Sequence, residues 1–67
     1  MMKETIRPYV AWYYEVEFKQ LLGGIWRGYE QSREKAEQRV KEIINAVRAV
    51  YPGLREKPRV VIRAERW

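Results

Sequence analysis

Three arginines, two tyrosines and three glutamates carry most of the chemistry open to this chain, and they fall at spacings of two. Tyr13, Glu15 and Glu17 form one such series, Ile25, Arg27 and Tyr29 a second, and Arg59, Val61, Arg63 and Glu65 a third. Side chains two residues apart share one face of an extended strand. Aromatic rings set among guanidinium groups on an open sheet can stack bases and neutralise phosphates. On that ground Tyr13, Arg27, Tyr29, Arg59 and Arg63 are candidate contacts for DNA or RNA. The same composition suits association with protein, because Tyr and Arg are enriched at the energetic centres of interfaces. Tyr13, Ile25, Tyr29 and Val61 are the candidate contacts of a homodimer. Glu15, Glu17 and Glu65 share the face and would pair with its arginines and repel phosphate.

Signals for catalysis are weak. Glu15 and Glu17 have the spacing for an acid–base pair, but nothing around them in the sequence implies a pocket, and pairing with Arg27 and Arg63 is the expectation. Ser32 is the sole serine, and the chain has no histidine and no cysteine. Those absences exclude Ser–His and Cys–His nucleophiles, disulfides, and metal sites built on His or Cys. Gly23, Gly24 and Gly28 lack the spacing and the following Lys-Ser/Thr of a phosphate loop. No enzyme activity, metal, cofactor or small-molecule substrate is expected.

Four elements must position these side chains. Tyr9 to Lys19 alternates strictly, with Val10, Trp12, Tyr14, Val16 and Phe18 facing inward. Gly23-Gly24 marks a turn, and a shorter strand runs from Ile25 to Glu30. Placing Arg27 inward would bury an unpaired charge. Trp26 and Gly28 are therefore the inner residues, with Trp26 opposite Phe18, Gly28 opposite Val16 and Arg27 opposite Glu17. Gly28 would leave room for a helix to come close. Ser32 is a good N-cap. Beyond it, Ala36, Val40, Ile43, Val47 and Val50 follow helical steps, with Glu37 and Lys41 spaced for a supporting pair, until Pro52-Gly53 ends the helix. Alternation returns over Arg59 to Arg66. The expected fold is α+β: a two-layer ββαβ unit whose three-stranded antiparallel sheet has order 2-1-3, with one helix on one face. Its core would be Val10, Trp12, Tyr14, Val16, Phe18, Trp26, Val40, Ile43, Val47, Val50, Val60 and Ile62.

The chain has 67 residues with 14 Lys+Arg against 9 acidic residues, a formal net charge of +5. That size implies one domain with a thin core, for which oligomerisation is a common remedy. Residues 1–8 read as a flexible leader. Every acid is Glu and arginine outnumbers lysine, a thermophile-like composition. No run is apolar enough to cross a bilayer and no signal peptide is evident, so a soluble cytoplasmic protein without a membrane partner is expected.

The run Trp26-Arg27-Gly28-Tyr29-Glu30-Gln31-Ser32-Arg33-Glu34-Lys35-Ala36-Glu37, about a fifth of the chain, loosely resembles the strand-to-helix segment of the arm-type DNA-binding domains of tyrosine recombinases. Those domains place three strands before the helix, whereas here the third follows it, and no residue role is carried over. Together these features describe a small, basic, non-enzymatic binding module, acting as a homodimer and binding nucleic acid through its open sheet face. The alternative is a protein-interaction or structural module of a mobile element or prokaryote with no nucleic-acid role.

Overall fold

A computed structural model describes residues 10–66. The expected leader, Tyr9 and Trp67 lie outside those residues. β1 (Val10–Glu17) and β2 (Ile25–Glu30) form a hairpin, α1 (Arg33–Val50) crosses back, and β3 (Arg59–Arg66) completes an antiparallel sheet of order β2-β1-β3. The strand richest in aromatic and β-branched residues is thus the central one, as expected from placing the longest and most apolar alternating run in the centre. α1 packs on one face of the sheet. Ser32 caps it, its Oγ accepting from the Lys35 amide at 3.2 Å. It stops at Val50, where the Tyr51 amide donates to the Val47 carbonyl and Pro52 allows no further turn. Glu37 pairs with Arg33 at 3.2 Å rather than with Lys41, and Arg39 with Glu42.

The inner face of β1 meets the helix through Tyr14, Val16 and Phe18, buried with Ala36, Val40 and Val47. Trp12, Trp26, Ile43 and Ile62 pack around them, joined by Leu21, Ile44 and Leu54. Phe18 meets Trp26 edge-on at 6.2 Å, an arrangement aromatic quadrupoles favour. Three expected core residues are exposed instead. Val10 lies at the sheet end opposite Arg66, Val60 sits on an edge strand with a neighbour on one side only, and Val50 is the last residue of the helix. Each occupies a boundary where the opposing layer runs out.

The hairpin register differs from expectation by two residues. Val16 lies opposite Trp26, Tyr14 opposite Gly28 and Glu15 opposite Arg27. Two successive turns close the connection. The Leu21 amide donates to the Phe18 carbonyl, and the Gly24 amide to that of Leu21. Gly23 supplies the positive φ of 69° that the second reversal requires. The Phe18 amide then donates to the Gly24 carbonyl at 2.7 Å, which continues the pairing of Val16 with Trp26 and fixes the register. The room left by Gly28 is accordingly filled by the Tyr14 ring, not by the helix. A Cβ at Gly28 would stand 2.6 Å from Tyr14 Cζ.

Candidate functional site

The sheet face turned away from α1 carries every candidate residue. Across β2, β1 and β3, the register aligns Ile25–Glu17–Arg59, then Arg27–Glu15–Val61, then Tyr29–Tyr13–Arg63. All five candidate nucleic-acid contacts and all four candidate dimer contacts therefore share one surface, because alternation holds in all three strands.

Glu15 is the hub of this surface. Its carboxylate accepts from the Tyr13 hydroxyl and from Arg59 Nη2 at 2.5 Å, and Arg27 Nε lies 3.7 Å away. The Tyr13 hydrogen bond and the charges of Arg59 and Arg27 hold the Glu15 carboxyl below its ordinary range, against partial burial. Its bond to Glu15 in turn raises the Tyr13 phenol. Arg59 also donates through Nε to Glu17 at 3.1 Å, and that bond, with both carboxylates, raises the arginine further. Glu15 and Glu17 thus converge on one guanidinium. Arg27 faces Glu15, while Arg63 pairs with neither: its Nε donates to Glu65 at 3.0 Å. The hairpin register moves Arg27 from Glu17 to Glu15, while Arg63 pairs within its own strand.

Two tyrosines occupy the middle. Their rings lie 5.5 Å apart, tilted by 58°, and the Arg63 guanidinium sits 4.7 Å above the Tyr13 ring, within cation–π range. Tyr29 donates to Glu65 at 3.2 Å. Desolvation raises its phenol, and Glu65 adds to the shift. This bond runs from β2 to β3 and so passes over the central strand beside Tyr13. Beneath it, opposite Glu65, lies Ala11, buried to 1 % exposure despite its outward register. A larger residue there would meet the bridge. Alternation puts Ala11 on this face, but its place beneath the bridge had no signal beyond its small size within an otherwise bulky strand.

Three arginines (27, 59 and 63) face three glutamates (15, 17 and 65) on this surface, so its formal charge is zero although the chain carries +5. Most of the positive excess lies on α1 and the loops. No acidic cluster among the described residues could hold a metal ion, and no helix among them is long and apolar enough to cross a membrane.

No protein-family model, curated protein or solved structure matches the chain. The reading of this face rests on its own geometry.

Proposed function

We propose that the protein is a small non-enzymatic binding module that works as a homodimer, with the uncovered sheet face as the contact between copies. One observation carries this reading: the face is charge-neutral on a molecule of net charge +5. Two such molecules repel each other through most of their surfaces, and this one can approach its copy without that penalty. Its charges are also self-complementary, since a twofold axis can set Arg27 or Arg63 of one copy against glutamates of the other. The half-exposed Tyr29 and the Tyr13–Tyr29 pair offer an aromatic centre of the kind that dominates interface energetics. A dimer would also supply burial that a thin core lacks.

Light scattering and sedimentation of the full chain test this. A dimer mass at micromolar concentration is expected. Tyr29→Lys, which puts like charges near the twofold axis, should raise the dissociation constant about tenfold or more. A monomer at all concentrations sinks the reading.

A second reading keeps nucleic acid as the partner. It is favoured by the two rings beside three guanidinium groups and by the net charge. Phosphates would have to displace glutamates already paired with each arginine, which is why it stands second. It requires salt-sensitive binding to mixed-sequence DNA or RNA, weakened in an Arg27→Ala/Arg63→Ala variant.

A further inference from the structure

One end of the molecule is built differently from the sheet face. β1 ends at Glu17, β2 begins at Ile25, α1 ends at Val50 and β3 begins at Arg59. The loops 18–24 and 51–58 therefore meet at the same end. Glu56 joins them, its carboxylate accepting from the Lys19 and Gln20 amides at 2.7 and 2.8 Å. Leu21 shares a shallow hollow with Val50, Tyr51 and Leu54 across the same junction.

Two properties coincide at this end. The side chains of Lys19, Arg55 and Lys57 are exposed, and none forms an ion pair among the described residues. Both acids at this end are already engaged, Glu56 with backbone amides and Glu17 with Arg59. Arg48 adds a fourth cation in the last helical turn, where it also answers the helix dipole. Beside these charges stands Leu22, which at 106 % relative exposure makes no use of the fold's interior, with Val50 at 68 % and Tyr51 at 49 %. The turn needs glycine at position 23, but it asks nothing of a leucine at 22.

We propose that this end docks on the surface of an anionic phospholipid bilayer, with Leu22 entering the headgroup layer and Lys19, Arg55 and Lys57 meeting lipid phosphates and carboxylates. Charge complementarity selects a polyanion. The apolar tip selects a bilayer among polyanions, because a nucleic-acid backbone would engage the cations and leave Leu22 without a role. This is peripheral attachment by loops; nothing crosses the membrane. It is independent of the sheet face, which stays free for a second copy.

Vesicle flotation of the full chain provides the test. Vesicles of phosphatidylcholine with about 30 % phosphatidylserine should capture the protein, and pure phosphatidylcholine should not. About 0.5 M salt should release it. Lys19→Gln and Lys57→Gln should each weaken capture roughly fivefold. Leu22→Asn should weaken it about tenfold or more, since the apolar contact is lost. Position 22 is fully exposed, so an unchanged melting temperature will show that the fold is intact. The proposal is overturned if anionic vesicles capture nothing or if Leu22→Asn binds them as well as the parent chain. Salt-sensitive binding to duplex DNA that depends on the lysines and not on Leu22, without vesicle capture, also overturns it and assigns the cations to nucleic acid.

Discussion

Gly28→Ala is the sharpest probe of how this sheet is assembled. An added Cβ would lie 2.6 Å from Cζ and 2.9 Å from Cε2 of Tyr14, and closer still to its hydroxyl. Relaxed carbon contacts need about 3.5–4.0 Å, so the ring must move by roughly 1 Å. Tyr14 is only 7 % exposed and packs with Val16, Ala36 and Val40. Its hydroxyl also engages Arg39, raising the pKa of that guanidinium. Moving the ring therefore disturbs the centre of the core. Overpacking of this kind costs about 1–3 kcal/mol. Removing a glycine from a strand interior returns about 0.5–1 kcal/mol. The net loss should be about 1–2 kcal/mol, lowering the melting temperature by roughly 5–15 °C in a domain this small. Thermal unfolding followed by circular dichroism would measure it. The closest clash is with the phenol oxygen, so Gly28→Ala should cost less in a Tyr14→Phe background, and a double-mutant cycle would report that coupling. An unchanged or raised melting temperature, or strict additivity with Tyr14→Phe, would refute the placement of Tyr14 over Gly28 and with it the hairpin register.

Further tests address the loops and the charge network. Glu56→Ala removes the acceptor of two loop amides and should destabilise the fold by about 1–2 kcal/mol; hydrogen exchange should accelerate at Lys19 and Gln20 before it does in the sheet. The folded-state pKa of Glu15 is lowered from an ordinary 4.5, so its contribution to stability is complete above that value and lost as pH falls through the folded one. Its carboxyl carbon should titrate below the ordinary range by NMR, and Tyr13→Phe should move it upward. The phenols of Tyr13 and Tyr29 are raised from 10.0. Their contribution is complete below that value and fades as alkali carries the pH through the raised ones. Spectrophotometric titration of the tyrosines should show a late-ionising pair.

How far the sequence alone reached follows from the range of the forces involved. Alternation in Tyr9–Lys19 and Arg59–Arg66, the helical period after Ser32 and the stop at Pro52 are local backbone properties. From them came the order of elements and the residues sharing the uncovered face, while the strand order β2-β1-β3 came from placing the longest, most apolar run in the centre. Charge logic placed Arg27 outward for the same reason, since an unpaired buried guanidinium is too costly in any register. Which glutamate each arginine meets was a different matter. Glu15 and Glu17 are equivalent in pattern, and only the two tight turns between Phe18 and Gly24 decided that Arg27 lies opposite Glu15. The bridge over Ala11 joins Tyr29 to Glu65 across 36 residues, and Glu56 reaches the Lys19 amide across 37. Pairings at that separation depend on where the strands and loops come to rest. A residue's type and its immediate neighbours therefore settled which face it occupies. The neutrality of the surface follows from that face assignment alone, whereas each residue's partner on the face was settled by loop closure and strand register in the folded chain.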